Sequence, residues 1–250
     1  MIPIKNAEQL QRMRVACRIT GEALLVAEEA VRPGISTKAL EEVIRHHIEK
    51  RGARPTFLGY GGFPGAACIS VNDEVIHGIP SENRILKEGD IVKVDVGATI
   101  NGYTGDAART FPVGQITAEA AALIDATRES FFRAVQAAIS GNRIGDIGNA
   151  VESYVRPLGY TVVRKYVGHG VGAELHEDPN VPNYGTPGHG PRLFPGMTIA
   201  IEPMVNAGGA DVRVLENHWT VVTSDGSLSA HYENTVAIGE NGPELLTYIR

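Results

Sequence analysis

Residues 93–111 read KVDVGATINGYTGDAARTF. Asn101-Gly102 divides this stretch into two runs of sheet-forming residues. Asn-Gly is the strongest short hairpin signal, because both central residues of a type I′ turn need a positive φ. With the turn there, Ile100 faces Tyr103, Gly97 faces Asp106 and Asp95 faces Ala108. Paired residues share a sheet face, as do residues two apart on one strand. Asp95 and Asp106 are therefore diagonal neighbours on one face, roughly 7–8 Å apart at Cα, and small Ala and Gly neighbours leave room between them. Acids near a turn are commonly just solvated. Here, however, the run IVKVDVGA is mostly apolar, and burying a charge without a partner is costly. Two ionised acids so close also repel unless a cation or a proton lies between them.

A metal site needs more donors. His169 sits between glycines in KYVGHGVG, Glu202 lies inside the apolar strand pattern MTIAIEPMV, and Glu233 begins a strand pattern in SAHYENTVAI. Alone, the His reads as a core residue and each Glu as a solvent-facing one. With the two aspartates they make four carboxylates and one imidazole, a charge that balances two divalent cations. Oxygen-rich ligation with one nitrogen and no thiolate suits Co, Mn, Fe or Zn in a reactive centre better than a structural cysteine site. Two such ions about 3.5–4 Å apart hold a hydroxide as nucleophile. His176-Glu177 has no second His four residues on, so no HExxH site is present.

The rest of the chain frames these residues. It has 250 residues, 43% hydrophobic and 21% charged, with a net charge of −6. That suits a globular protein and gives no reason to expect specific nucleic-acid binding. No apolar run approaches the roughly 20 residues of a membrane helix, and MIPIKNAEQLQRMRVA lacks the apolar stretch of a signal peptide. Cys17 and Cys68 form no CxxC motif. Together these features favour a cytoplasmic protein without membrane contact. Helices are expected over 6–31 with Asn6 as N-cap, over the segment after Ser36 or Thr37 up to Gly52, over 117–139, and over GDIGNAVESYVRPLG. CISVNDEVIHGIP reads as strand, turn, strand, and GMTIAIEPMV, HWTVVTSD and HYENTVAI read as strands. AVRPGISTKALEEVI (30–44) aligns with AAISGNRIGDIGNAV (137–151), each after a long helix. The pattern predicts an α+β fold made as a single catalytic domain over 1–250, with pseudo-repeat halves of roughly 1–112 and 113–250.

VRPGISTKALEEV, CISVNDEVIHGIP, KVDVGATINGYTGDAARTF, YVGHGVGAELHEDPNVPNYG, FPGMTIAIEPM and SAHYENTVAI follow one another in this order. Over nearly the whole chain, this series resembles the short bacterial type I methionine aminopeptidases, which have the pita-bread fold: a central, mainly antiparallel sheet with helices outside. The resemblance implies metal-dependent removal of the N-terminal (initiator) methionine from nascent polypeptides when the second residue is small. Asp95 would chelate one metal ion, Asp106 and Glu233 would bridge, and His169 and Glu202 would hold the other. A hydroxide between the metals would attack the scissile carbonyl, Glu202 would shuttle the proton, and His77 and His176 would face the substrate. Tyr60, Phe63, Cys68, His77, Leu175 and Trp219 would form the methionine pocket; an apolar slot with aromatic and sulfur contacts suits a thioether. Phe63 stands where Tyr is frequent in these enzymes, and Leu175 where Phe is frequent. The resemblance further implies a monomer that associates transiently with the ribosome. No zinc-finger or proline-rich extension precedes the match, so docking through such a tail is not expected.

A proline-specific peptidase of the same fold and a metal-free binding module are the rival readings. The first usually carries an added N-terminal domain, and the second would not retain all five donor types. GYGGFPG (59–65) lacks the Gly-Lys-Ser/Thr of a phosphate loop. Cys68 has apolar neighbours and no base in sequence, which favours packing over nucleophilic chemistry. His189, His218 and His231 are expected at the surface by default, although His231, two residues from Glu233, could line the site; His46 and His47 are expected to be partly solvated.

Overall fold

A computed structural model describes residues 1–249. Helix α1 (Ala7–Ala30) begins at a capping box, in which Gln9 N donates to the Asn6 side chain and Asn6 N donates to the Gln9 side chain. Helix α2 (Thr37–Lys50) is capped by Ser36, whose hydroxyl accepts from Ala39 N. Helix α3 (Ala118–Ala137) starts at Thr117 and stops two residues short of the expected end, and α4 covers Ile144–Val155. The strands of the first half are β1 (Arg54–Pro55), β2 (Ala67–Val71), β3 (Glu74–Ile76), β4 (Ile91–Ile100) and β5 (Tyr103–Pro112). Those of the second are β6 (Thr161–Val162), β7 (Gly168–Gly170), β8 (Glu177–Val181), β9 (Thr198–Ile201), β10 (Met204–Asn206), β11 (Val212–Val214), β12 (Val221–Thr223), β13 (Ser229–His231), β14 (Asn234–Gly239) and β15 (Gly242–Leu245).

The hairpin has the register its turn dictates: Ile100 pairs with Tyr103, Gly97 with Asp106 and Asp95 with Ala108. Asn101 and Gly102 both have positive φ, 54° and 77°. The strict alternation of β4 then separates two environments. Val92, Val94, Val96 and Ala98 enter a core shared with Leu24, Leu40, Ile44 and Ile48 of the helices. Lys93, Asp95 and Gly97 take the opposite face. α1 presses so closely on β5 that a Cβ on Gly105 would stand 2.6 Å from the Cys17 Cα, so only glycine fits there.

A second core, built on α3 and α4, gathers Leu123, Phe131, Ile147, Val151, Ile199, Ile201, Val236 and Ile238. β14 is the link between β15 and β9 in a sheet that continues to β7 and β8. All the strand pairings are antiparallel. Each half opens with a long helix, a glycine of left-handed φ (Gly34, 88°; Gly141, 95°) and a shorter helix. The aligned positions Leu40 and Ile147 are both buried, as are Ile44 and Val151.

Two of the expected strands are interrupted. GMTIAIEPMV breaks at Glu202-Pro203 between β9 and β10, and HYENTVAI breaks at Tyr232-Glu233 between β13 and β14. At each break the chain leaves one sheet for another. Pro203 has no N–H for a ladder, and that helps end β9. Glu202 and Glu233 thus occupy strand junctions rather than strand positions.

Candidate metal centre

The two halves meet along β5 and the β13–β14 junction. Ala108 N and Glu233 N each donate to the other residue's carbonyl, at 3.3 and 2.9 Å. Asp106 N donates to Thr235 Oγ1 at 3.0 Å, and the hydroxyl donates back to the Asp106 carbonyl at 2.9 Å. The Arg109 guanidinium donates to the Glu233 carbonyl and to Asn234 Oδ1. These bonds fix Asp106 and Glu233 relative to each other across the seam. Asn183 donates to the Glu202 carbonyl at 2.9 Å, holding the other junction.

His169 is carried by β7, between two glycines that the packing demands. A Cβ on Gly168 would lie 2.3 Å from the Ala200 carbonyl oxygen, and one on Gly170 2.2 Å from that of Asp178. The His169 ring directs Nδ1 to the Gly170 carbonyl at 2.8 Å. The proton of that bond sits on Nδ1, which leaves the Nε2 lone pair free. Nε2 lies 3.6 Å from both Asp106 Oδ2 and Glu202 Oε1.

A cavity of about 200 Å³ opens onto these groups. Every donor and pocket residue proposed from the sequence lines it: Asp95, Asp106, His169, Glu202 and Glu233, together with His77, His176, Tyr60, Phe63, Cys68, Leu175 and Trp219. Phe63, Cys68 and Leu175 form a small apolar cluster with Phe57, and Trp219 packs edge-on to Phe63 at 5.2 Å. His77 has a φ of 59°, uncommon for a residue with a side chain, and stands edge-on to both Tyr166 and Trp219. Such backbone strain persists where the surroundings over-determine the residue.

The electrostatics of the acids are dominated by burial. Burial pushes Asp95 up to about 7. It holds Asp106, Glu202 and Glu233 well above the carboxylate range, with mutual repulsion adding to the effect. Burial lowers His77 and His169 to about 4 and His176 in the same direction, so the imidazoles are neutral. Burial and the charge of Asp95 raise the Cys68 thiol, which removes it as a nucleophile.

The donor set fits divalent metal. Asp95 Oδ1 and Asp106 Oδ1 are buried acceptors without a hydrogen-bond donor. Single ligand atoms of Asp106, His169 and Glu233 lie within 4.8 Å of one another, and so do those of Asp95, His231 and Glu233. Cations would satisfy the orphaned lone pairs and the accumulated negative charge together.

His231 departs from expectation. It is 1% exposed rather than at the surface, because β13 pairs with β10 and sets it opposite Met204. Phe57, Ile76, Tyr166 and Val167 also line the cavity without having stood out in the sequence. Tyr166, three residues before His169, had only its nearness to that motif as a signal. His189 and His218 are exposed as expected.

A pita-bread frame whose sheets bring buried acids and an imidazole to one largely apolar cavity defines a metal-dependent peptidase. The sequence matches the model of metallopeptidase family M24 over residues 11–240. It is 58% identical over 247 residues to the methionine aminopeptidase of Clostridium acetobutylicum, covering 99% of each chain, and 49% identical to methionine aminopeptidase 1 of Bacillus subtilis, covering all of both. The solved methionine aminopeptidase of Thermotoga maritima superposes with a TM-score of 0.98 at 45% identity, covering all of both chains. The prolidase of Pyrococcus furiosus shares the fold at a TM-score of 0.80 and 25% identity, but this chain covers only 66% of it. The chain belongs to metallopeptidase family M24, in the branch of short bacterial type I methionine aminopeptidases.

Proposed function

We propose that the protein removes the N-terminal methionine from nascent proteins and peptides whose second residue is small, using two divalent metal ions. The observation that carries this reading is the convergence of Asp95, Asp106, His169, Glu202 and Glu233 on one cavity walled by aromatic rings and a sulfur. Asp95 would hold one ion, His169 with Glu202 would hold the other, and Asp106 and Glu233 would be shared between them. Four carboxylates match the charge of two divalent ions, and Co, Mn, Fe and Zn all accept such donors. Bound there, the metal supplies Lewis acidity and a water acidic enough to attack at neutral pH.

The chain's own residues do the rest. The Phe63, Cys68, Leu175 and Trp219 wall takes the thioether side chain, which matches soft sulfur and ring contacts. That seat places the scissile carbonyl beside the acids. Glu202, kept in a high-pKa environment by burial and its acidic neighbours, accepts a proton from the nucleophile and returns it to the leaving nitrogen. His77 and His176 are neutral and face the cavity, and their N–H groups steady the carbonyl oxygen as charge develops on it. The chain acts as one catalytic unit with halves of roughly 1–112 and 113–250. The repeated helix–glycine–helix order and the two cores support that division.

No helix among the described residues is long and apolar enough to cross a membrane. Action on nascent chains fits a monomer in the cytoplasm that visits the ribosome transiently. Peptide hydrolysis tests the proposal. Met-Ala-Ser should lose its methionine in the metal-loaded protein, a bulky second residue should block cleavage, and X-Pro peptides should stay intact. Cleavage of X-Pro peptides without methionine release would overturn it.

A further inference from the structure

His231 lies against the acids yet is outside the five-residue donor set. Its Nε2 is 3.7 Å from Glu202 Oε2 and 3.8 Å from Glu233 Oε2. Neither ring nitrogen has a hydrogen-bond partner, although the side chain is 1% exposed. Its backbone is clamped: His231 N donates to Thr110 Oγ1 at 2.9 Å, and that hydroxyl donates to the His231 carbonyl at 2.8 Å.

The two imidazoles at the centre differ in one respect. The Nδ1 proton of His169 goes to the Gly170 carbonyl, and its Nε2 lone pair faces the acids. Metal-binding histidines almost always have such an acceptor for the second ring nitrogen. His231 has none at Nδ1. Of its two nitrogens only Nε2 has acceptors before it, the Glu202 and Glu233 carboxylates, and that favours the ring proton on Nε2. A protonated Nε2 is a donor, not a ligand. The separations are roughly 0.6 Å beyond hydrogen-bond range, a gap that a small torsional change in either glutamate side chain would close.

We infer that His231 is a positioning residue: its Nε2–H is the shared donor that holds the Glu202 and Glu233 carboxylates, turning their remaining lone pairs to the metals. The inference rests on the metal-centre reading above. It makes the two strand junctions, otherwise separate in sequence, orient each other through one imidazole.

Substitution, metal titration and NMR together test it. His231→Leu removes the donor, and His231→Gln keeps an N–H in a side chain of similar reach. Calorimetric titration with Mn²⁺ should show His231→Leu weakened about 10- to 100-fold, as for loss of an outer partner of a metal ligand, with His231→Gln regaining most of that loss. Nitrogen-15 imidazole spectra of wild-type protein should show the Nε2–H tautomer of His231, metal-free and Zn²⁺-loaded alike. An Nδ1–H tautomer with Nε2 on the metal would overturn the inference, as would wild-type affinity in His231→Leu or equal loss in both variants. The tautomer measurement decides the matter even if His231→Leu does not fold. Failure of wild-type protein to bind Mn²⁺ would instead strike the metal-centre reading, and the metal-free spectrum would still test the donor.

Discussion

Tyr60 Oη and His176 Nδ1 lie 2.7 Å apart, with their rings 5.4 Å apart. Burial lowers the His176 pKa, so the ring is neutral. A phenol O–H donated to Nδ1 leaves the ring proton on Nε2, available as a donor. Tyr60→Phe should release that constraint. We expect kcat on Met-Ala-Ser to fall about fivefold, the worth of roughly one hydrogen bond, while the Mn²⁺ affinity is unchanged. A parallel loss of metal affinity would show that Tyr60 acts on the centre instead.

Asp106→Asn removes one buried charge from a cluster of acids. Activity should fall more than about 100-fold, the loss that even an outer partner of a metal ligand produces. Metal-free protein should respond in the opposite sense. At pH 8 its Tm should rise, because repulsion with Asp95, Glu202 and Glu233 is relieved. Titration calorimetry and thermal scans on the same samples separate the two effects.

The acids make metal-free stability depend on pH. Burial raises Asp95 to about 7 and lifts the other three well above the ordinary carboxylate range. A raised carboxyl pKa means that the native state binds more protons than the unfolded chain between the two pKa values. The stabilisation is complete below the unfolded carboxylate range, about 4, and is lost as pH rises through 7 and beyond. Tm of metal-free protein should therefore decline from pH 5 to pH 8. Mn²⁺ should abolish the decline, since cations replace the protons. A metal-free Tm that climbs over this range would contradict the clustering of the acids.

Gly170→Ala sets a methyl group against the Asp178 carbonyl, a backbone atom that cannot swing away. A cost of about 1–3 kcal/mol is expected for such overpacking. Because Gly170 also holds the His169 ring through its carbonyl, metal affinity should fall with stability. Urea unfolding and metal titration check both, and a variant as stable as wild type would disprove the close approach.

Leu175→Ala enlarges the apolar end of the cavity. KM for Met-Ala-Ser should rise about tenfold, at the low end of what side-chain truncation in an apolar pocket costs, with kcat much less affected. Cys68 in the same wall should resist iodoacetamide at pH 8, because its thiolate is suppressed by burial. Rapid alkylation of the folded protein would show the pocket to be more open than described.

The hairpin was legible in the sequence because its information is local. Asn101-Gly102 fixes the turn, the turn fixes the register, and period-two alternation puts Asp95 and Asp106 on one face. His169 was legible because glycines on both sides mark a tight backbone approach. Glu202 and Glu233 were visible as donors but not as strand junctions, since a change of sheet leaves no mark in hydropathy. The default surface placement fails at His231 for a related reason. A polar residue in a short strand defaults to the surface, and only the pairing of β13 with β10, residues far apart in sequence, buries it.

The reciprocal amide bonds between Ala108 and Glu233 carry a kinetic consequence. Asp106 and Glu233 belong to different halves, yet they are joined by the same ladder that joins the halves. Parting β5 from the β13–β14 junction would break this ladder and separate the two carboxylates in one step. On the metal-centre reading, ions held there would clasp the same ladder, and loading with metal should slow unfolding itself.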